Sequence, residues 1–485
     1  MNKRAISIYI GYLLFVEGVF MLPALVIAAY YKELPSVKGF AITTVILLIL
    51  AVLLIRQKRS DAGVYAREGF VTVSLGWILI SLFGALPFYI SGAIPSFLDC
   101  WFETVSGFTT TGASILTNVE ALPMGLLYWR SFTHWLGGMG VLVFMLAVAP
   151  LARGSGETFH LLRAESPGPS VDKLAPTMRH TTRILYSIYI VLTLLQIVLL
   201  LLGGMPLFDS VVHTFGTAGT GGFSIKNASI GAYDSAYLQA VIGVFMALFG
   251  INFSVYYLML LRQFRAAFRN EELRFYIGIM LVTTAVIAVD ILPQYAGLGT
   301  GKAVLDSFFQ VSSIMTTTGY ATVNFDQWPQ LSRYLLMLLM IIGASAGSTG
   351  GGVKVSRLII LWKAAKSQMQ TMLRPRAIRP VRMDGKPLQE NVVRGTYAFT
   401  AVYAAICFVS ILVLALDNRS MDTTITAVLS CINNIGPGLG MVGPAGNFSF
   451  FSPLSKIVLS FDMLLGRLEI FPMLLLFMPS VWRRI

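Results

Sequence analysis

The chain has 485 residues, of which 56% are hydrophobic and 12% are charged, with a formal net charge of +13. Soluble domains average about 25% charged residues, so this composition excludes an ordinary soluble protein and indicates an integral membrane protein. The three cysteines are odd in number and lack metal-ligand spacing, which excludes a disulfide framework.

Ten apolar stretches each approach the roughly 20 residues that a helix needs to cross a bilayer. The first is long, lacks a small-x-small cleavage site and leads into the second, so we expect it to remain as a membrane helix. The predicted spans are Ala5–Tyr30, Gly39–Ile55, Phe70–Ile90, Leu127–Pro150, Ile184–Leu202, Tyr237–Leu261, Phe275–Leu292, Tyr334–Trp362, Tyr397–Leu416 and Ile457–Pro479.

Lysine and arginine predict the orientation of these spans, because cytoplasmic loops carry an excess of both. With ten spans, the basic groups fall on one side, so both termini are expected in the cytoplasm. Most of the net charge then sets topology and contacts anionic lipid; a docking surface for an acidic partner is the alternative. Nucleic-acid binding is not expected, since the charge is spread over short loops. The groups lie at 3–4, 56–67, 153–183, 262–274, 363–394 and 483–484.

Four segments resemble one another: 99–112, 209–221, 306–319 and 422–436. Each begins with Asp and ends with Gly, at separations of 13, 12, 13 and 14 residues. We predict a short amphipathic helix whose N-terminus the Asp caps, followed by an extended stretch. Four such loops can meet on one axis, where main-chain carbonyls replace the water shell of a cation. Ordinary outer turns with Asp caps are the alternative.

The predicted fold is therefore an all-α integral membrane protein. Four tandem span–pore-loop–span repeats surround a pseudo-fourfold pore, after two extra N-terminal transmembrane helices. The expected divisions are 1–69 for the two N-terminal helices, then 70–150, 151–261, 262–362 and 363–485 for pore repeats 1 to 4.

A glycine-rich segment interrupts the eighth predicted span. Its sequence is Gly343-ASAGSTGGGVK, and each interior glycine costs a helix about 1 kcal/mol against alanine. A plain helix kink is one interpretation and a non-helical element in the membrane is the other. A phosphate-binding loop is not expected, since Lys354 is followed by Val355 instead of Ser or Thr.

Arg467 lies inside the last predicted span, where a charge is expensive and usually faces a cavity or a partner. It can hold carbonyls of the glycine-rich segment as a latch, or pair with an acid such as Asp462. Lys354 can pair with the same carbonyls or end a helix. Together the residues expected to form a gate are Gly343, Ala346, Gly347, Gly350, Gly351, Gly352, Lys354 and Arg467.

Two other classes of function fit less well. A secondary transporter for an organic solute would need charged or aromatic anchors at the midplane, and its repeats are usually inverted. A membrane-embedded enzyme would need a cluster of His, Cys or paired acids in the spans, and the sequence shows none. The chain is therefore not expected to be an enzyme.

The chain resembles the Trk/Ktr/HKT superfamily of potassium transporters over essentially its whole length, and its TrkH/TrkG branch most. The extra N-terminal spans also favour that branch. The motifs are Phe108-TTTGAS, Gly221-GFS, Met315-TTTGYAT, Asn433-NIGPGLG, Tyr128-WRSFTHWLGGMG, Gly343-ASAGSTGGGVK and Phe461-DMLLGRLEIFP.

This resemblance implies potassium uptake through a carbonyl filter, with the glycine-rich segment obstructing the pore. Gly112 favours potassium, because serine there is associated with sodium permeation in some plant members. A sodium-coupled or sodium-permeable transporter of the Ktr/HKT kind is the alternative. The implied filter residues are Thr110, Thr111, Gly112, Gly219, Thr220, Gly221, Thr317, Thr318, Gly319, Asn434, Ile435 and Gly436.

The resemblance also implies partners and a location. We expect a homodimer in the bacterial inner membrane, controlled from the cytoplasm by a TrkA-type ring of nucleotide-binding subunits. Potassium is the transported substrate and the only metal, and no cofactor bound to the chain is expected.

Overall fold

The computed structural model describes residues 2–57, 66–138, 140, 178–374 and 380–482, and these are predominantly helical. The α-helices are Lys3–Phe20, Leu22–Tyr30, Leu34–Ile55, Ala66–Gly84, Leu86–Ile90, Phe97–Phe108, Met124–Gly138, Met178–Leu202, Leu207–Gly219, Ala236–Phe249, Phe253–Leu260, Phe264–Arg269, Glu271–Ile291, Thr300–Met315, Gln330–Ile342, Val355–Leu373, Glu390–Leu414, Met421–Ile432, Pro453–Arg467, Phe471–Leu475 and Pro479–Trp482. Short 3-10 helices lie at Val119–Ala121, Ser229–Ala232, Leu292–Tyr295, Phe325–Gln327, Ala415–Asp417 and Gly440–Val442. Strands Arg382–Met383 and Lys386–Pro387 form one antiparallel hairpin.

The described residues include six helices long and apolar enough to cross a membrane, or seven if one bent pair is counted as a span. The protein is thus a multi-pass membrane protein, and six of the predicted spans correspond to these six helices. The end of the predicted span Leu127–Pro150 lies outside the described residues, as do the basic residues at 58–59, 153–173, 376–379 and 483–484.

Three predicted spans are not continuous helices. The glycine-rich segment predicted an interruption of Tyr334–Trp362, whereas the other two spans were expected to be continuous and the prediction was wrong there. Tyr237–Leu261 is bent by 91° between Phe249 and Phe253. Tyr334–Trp362 is interrupted from Gly343 to Lys354, and the last span breaks after Arg467. In each case the sequence is predominantly hydrophobic, although the backbone leaves the helical conformation within it.

The bend has a local cause in Gly250 and Asn252. A Cβ atom at Gly250 would lie 2.5 Å from the hydroxyl of Tyr276, so glycine lets the neighbouring helix approach. The Asn252 side chain accepts a hydrogen bond from Ser254 N at 2.8 Å and caps the helix that follows. The bend therefore leaves main-chain groups of Gly250 and Phe253 free to bond elsewhere.

Four short helices lie near the centre of the fold, and we number them in chain order: short helix 1 is Phe97–Phe108, 2 is Leu207–Gly219, 3 is Thr300–Met315 and 4 is Met421–Ile432. Their N-caps are Ser96, Pro206, Gly299 and Ser420. The prediction that Asp caps these helices was wrong, because each Asp lies inside its helix.

The four aspartates bind side chains of other segments instead. Asp99 accepts from Lys456 Nζ at 2.6 Å, and Asp306 accepts from the Tyr295 hydroxyl at 3.1 Å. Asp209 accepts from the Tyr233 hydroxyl at 2.6 Å. Burial raises the pKa of Tyr233, and the hydrogen bond to Asp209 raises it further, so the phenol remains protonated and can donate. Asp422 accepts from Arg333 at 3.1 Å.

The N-terminal helices pack closely on the first repeat. A Cβ atom at Gly125 would lie 2.7 Å from the Cβ of Ala28, so small residues let these two helices approach, as is common in membranes. Glu33 accepts from the free N–H groups of Met124 and Gly125 at 2.6 and 3.0 Å. These contacts fix one end of helix Met124–Gly138. The boundaries of the repeats at residues 69, 150, 261 and 362 stay a prediction.

Candidate ion pathway

The same backbone turn follows each short helix. One residue has a left-handed backbone, and the N–H of the next donates to a carbonyl of the short helix at 2.8–2.9 Å. The left-handed residues are Thr110, Thr220, Thr317 and Asn434, with φ of 56°, 55°, 57° and 56°. Two residues further on come Gly112, Gly222, Gly319 and Gly436, with φ of 82°, 74°, 85° and 100°. The four loops are therefore structurally equivalent, and we call them central loops 1 to 4.

This equivalence corrects the predicted register of central loop 2. The structure places Gly222, and not Gly221, at the position of Gly112, while Gly221 matches Thr111. Gly219 belongs to short helix 2, where it lies against the main chain of His134. The sequence carried a signal for this register, because Asp209 and Gly222 are 13 residues apart, as in repeats 1 and 3.

The four central loops close into a ring. A Cβ atom added at Gly112 would lie 2.0 Å from the carbonyl oxygen of Gly221. The same distance separates a Cβ at Gly222 from the carbonyl of Thr318, and one at Gly319 from that of Ile435. From Gly436, the Cβ would lie 2.9 Å from the carbonyl of Thr111, which completes the circuit. Glycine is required because each loop lies directly against the next carbonyl.

The threonine hydroxyls of the central loops are largely used within the protein. Thr111 Oγ1 lies 2.8 Å from Thr109 Oγ1 and accepts from Asn434 Nδ2 at 3.0 Å. Thr318 Oγ1 lies 2.8 Å from Thr316 Oγ1. These bonds brace the loops, so the main-chain carbonyls of the ring are the groups best placed as ligands. Carbonyl rings of this kind suit a dehydrated monovalent cation.

A buried ion pair braces central loops 1 and 2. Arg130 Nε donates to Glu103 Oε1 at 2.6 Å, with the two side chains 3% and 1% exposed. Arg130 also donates to Ser224 O at 3.0 Å, and its guanidinium lies 3.5 Å from the centre of the Phe223 ring. Glu103 accepts in addition from Ile115 N at 3.0 Å. Arg130 therefore holds the residues that follow both loops.

Two histidines and a tyrosine also support the loops. His134 Nδ1 lies 2.8 Å from Gly107 O, while its Nε2 accepts from Phe223 N at 3.2 Å. His213 lies 2.9 Å from Ser224 Oγ. The Tyr320 hydroxyl lies 3.0 Å from His213 O and therefore links repeats 2 and 3. These residues are bracing groups in a buried region.

The glycine-rich segment forms a non-helical loop from Gly343 to Lys354 on one side of the ring, and we call it the inner loop. Gly351 N donates to Thr317 Oγ1 at 2.7 Å. A Cβ atom at Gly350 would lie 2.9 Å from Thr316 O, and one at Gly351 would meet Asn433 O. The inner loop therefore lies directly against central loops 3 and 4, and the helix-kink interpretation was wrong.

The inner loop is anchored on both flanks by groups that the sequence did not single out. Ala346 N donates to Glu272 Oε1 at 2.7 Å, and Ser356 N donates to the same oxygen at 3.2 Å. At the bend in the second repeat, Ser345 N donates to Gly250 O at 3.1 Å, and Phe253 N donates to Gly347 O at 3.0 Å. The bend and one buried carboxylate thus satisfy polar groups of the loop.

Arg467 joins the inner loop to the ring. Its guanidinium donates to Thr349 O at 2.9 Å, to Thr110 Oγ1 at 3.2 Å and to Gly137 O. Asp462, the alternative partner, accepts instead from Ser410 Oγ at 2.9 Å. Lys354 Nζ donates to Gly350 O within the inner loop. Both cations therefore bind main-chain carbonyls of the predicted gate.

The break after Arg467 allows an ion pair that the sequence analysis did not predict. Glu469 and Ile470 have φ of 53° and 70°, which is unusual for a β-branched residue such as isoleucine. The break lets Glu469 bind Arg357, on the helix that follows the inner loop. A continuous last helix was predicted, so the pairing of Glu469 with a residue outside its own helix could not be found from spacing.

Comparison with known proteins gives a consistent result. Residues 36–484 match the family model TrkH, described as cation transport protein. The chain is 35% identical over 489 residues to the Trk system potassium uptake protein TrkH of Salmonella typhimurium, with all of both chains covered. It is also 35% identical over 488 residues to TrkG of Escherichia coli, with 99% of each chain covered. The crystal structure of the potassium transporter TrkH from Vibrio parahaemolyticus matches with a TM-score of 0.88 at 32% identity, covering 100% of both chains.

We predict that Gly112→Ala destabilises the protein more than Gly204→Ala. Both glycines have φ of 82°, but an added Cβ at Gly204 meets nothing within 4 Å. The backbone cost of about 1–2 kcal/mol is shared, while crowding against Gly221 O adds about 1–3 kcal/mol at Gly112. Thermal unfolding of the purified variants measures the difference. Equal losses would contradict the close approach in the ring.

We also predict that Glu103→Gln costs about 3–5 kcal/mol, because it leaves the buried charge of Arg130 uncompensated. The matched control is Glu390→Gln, which removes a carboxylate from an ion pair whose side chains are 77% and 78% exposed. That change is expected to cost about 0.5 kcal/mol or less. Unfolding of both variants under identical conditions tests this, and a similar small loss in each would show that the buried pair does not brace the loops.

Proposed function

We propose that this chain, which belongs to the TrkH family of cation transport proteins, carries potassium ions through the ring formed by the four central loops. The relatives named above are potassium uptake proteins, and the family is one of transport proteins, not enzymes. The observation that carries the proposal is the closed circuit of glycine–carbonyl contacts among the loops. In this proposal, the carbonyls of Thr111, Gly221, Thr318 and Ile435 replace the ion's hydration shell.

The short helices support the same role electrostatically. They end at Phe108, Gly219, Met315 and Ile432, each within two residues of the left-handed position of its loop. A helix C-terminus carries about half a negative charge, so four such ends directed at the ring favour a cation there. Glycine at all four ring positions favours potassium over the sodium-permeable alternative.

The inner loop is the proposed gate, with Arg467 as its latch. This proposal is supported by two hydrogen bonds to the ring, from Gly351 N to Thr317 Oγ1 and from Arg467 to Thr110 Oγ1. A guanidinium there raises an electrostatic barrier to a cation, and the flexible glycines permit the loop to move away.

We further propose the cellular setting that goes with this function. The basic loops face the cytoplasm of a bacterial inner membrane, so both termini and the inner loop are on that side. The chain acts as a homodimer, with one pore in each copy. A cytoplasmic ring of TrkA-type nucleotide-binding subunits controls the gate, in line with the Trk-system names of the relatives.

The test of the proposed function is rubidium uptake into vesicles containing the purified protein, with the Gly222→Ser variant beside Gly112→Ser. We expect uptake by the wild type, and a lower potassium-over-sodium preference in both variants, because each added Cβ displaces a ring carbonyl. Reversal potentials under mixed gradients measure the preference, with Gly204→Ser as a control of similar backbone strain. An unchanged preference in folded Gly222→Ser protein would remove central loop 2 from the filter in this register.

The proposed gate predicts that deleting Ala346–Gly351 raises ion flux without a regulatory partner. Arg467→Ala is expected to raise it as well, since the latch and its charge are both lost. Combined, the two changes should give less than the sum of their effects on the free energy of opening, because they act on one element. Arg394→Ala, an exposed arginine elsewhere, is the control. Flux that stays unchanged or falls in folded deletion protein would show that the inner loop is not the barrier.

A further inference from the structure

Four arginines lie close together in sequence, three between the two anchors of the inner loop at Phe253 and Glu272 and the fourth two residues after Glu272. Arg262, Arg265, Arg269 and Arg274 are all exposed, and in the described part of the chain none of them has an ion-pair partner.

Two other cations have acidic partners, since partly exposed Lys363 binds Glu271 and exposed Arg394 binds Glu390. Exposed Lys366, Arg374 and Lys386, like the four arginines, have no ion-pair partner among the described residues. The two acids within this segment are used elsewhere, because Glu271 binds Lys363 and Glu272 binds the inner loop. The four guanidinium groups are therefore available to an anion from outside the chain.

Large apolar side chains lie among the four arginines. The six-residue helix Phe264–Arg269 exposes Phe264 and Phe268 at 53% and 59%, while Ala267 is buried. An apolar face beside arginines is typical of a segment lying in the boundary between lipid headgroups and acyl chains. Free inorganic phosphate would leave these rings exposed to water.

A groove continues from the arginines along the next helix. It is lined by Arg274, Phe275, Gly278, Ile279, Val282 and Thr283, and a Cβ at Gly278 would meet nothing within 4 Å. One end of the groove is a guanidinium and the rest is apolar. This polarity matches a phosphate headgroup joined to an acyl chain.

We propose that these four arginines, Phe264, Phe268 and the groove form a binding site for an anionic phospholipid, on the membrane face that carries the inner loop. The lipid phosphate binds the guanidinium groups, which form bidentate hydrogen bonds with phosphate oxygens. One acyl chain lies along the groove from Arg274 to Thr283.

The site is directly connected to the inner loop at both ends. Glu272, two residues before Arg274, accepts from Ala346 N and Ser356 N. At the other end, Phe253 begins the helix that leads to Arg262 and donates to Gly347 O. A bound lipid that orders this segment therefore stabilises the anchors of the inner loop. This consequence rests on the proposed gate, whereas the lipid site does not.

Lipid binding is tested by counting phosphatidylglycerol and phosphatidylcholine retained per full-length chain, using native mass spectrometry with equal amounts of both lipids. The test variant is Arg265→Gln/Arg269→Gln/Arg274→Gln. The control, Lys366→Gln/Lys386→Gln/Arg394→Gln, removes the same number of exposed charges from another part of the same side. Phe264→Ser/Phe268→Ser removes apolar contact and keeps every charge.

The expected result is preferential retention of phosphatidylglycerol, lowered about fivefold per arginine removed, or about a hundredfold in the test variant. Retention should be unchanged in the control and reduced in the phenylalanine variant. Equal loss in test and control variants would overturn the site, as would unchanged binding in the test variant. Competition by soluble glycerol phosphate would assign the arginines to a free phosphate compound, and loss of dimer mass in the test variant would assign the surface to a second copy of the chain.

A separate arm measures rubidium uptake in vesicles with and without phosphatidylglycerol. Uptake by the wild type should depend on the anionic lipid, and uptake by the test variant should not. If lipid counts follow the expected pattern while uptake does not, the site stands and its link to the gate is removed. If no preparation transports rubidium, the proposed function fails and the lipid counts still decide the site.

Discussion

The close approach between a glycine of one central loop and a carbonyl of the next is the contact on which the rest of the structure depends. Three of the four contacts leave no room for a Cβ atom, so the loops are held at a spacing set by main-chain atoms. Loops packed so tightly need rigid support, because a shift of one displaces its neighbours. The Arg130–Glu103 pair and the hydrogen bonds of His134 provide that support, because they bind residues that flank central loops 1 and 2.

The inner loop illustrates a second constraint of the membrane. Non-helical backbone at membrane depth is tolerated only where protein or a water-filled cavity satisfies its polar groups. Here Glu272, the bend at Gly250, and Arg467 accept from or donate to the main chain of the loop. The bent helix is therefore part of the same arrangement, because main-chain groups of Gly250 and Phe253 bond the inner loop, whereas a straight helix would use them internally.

The sequence was most informative where residue type alone limits the backbone. Repeated threonine and glycine indicated the central loops, and the glycine run indicated a segment that cannot remain helical. Spacing was less reliable, as the displaced register of central loop 2 shows. The anchors of the inner loop and the break in the last helix were not predictable. Asn252 and Ile470 lie inside hydrophobic runs, and Glu272 resembles an ordinary acid near a helix start. Their roles depend on neighbours distant in sequence.

Among the residues that the structure describes, the inner loop occurs once, and so does the arginine that binds it, although the ring consists of four equivalent loops. Repeats of a single polypeptide can diverge in this way, whereas four identical subunits would each carry the same element. On the proposed mechanism, opening is then a single event in each copy and involves no concerted change among equal quarters. A response steeper than that of one independent site would have to come from the dimer or from a regulatory assembly, so the Hill coefficient of activation reports on those partners and not on the pore.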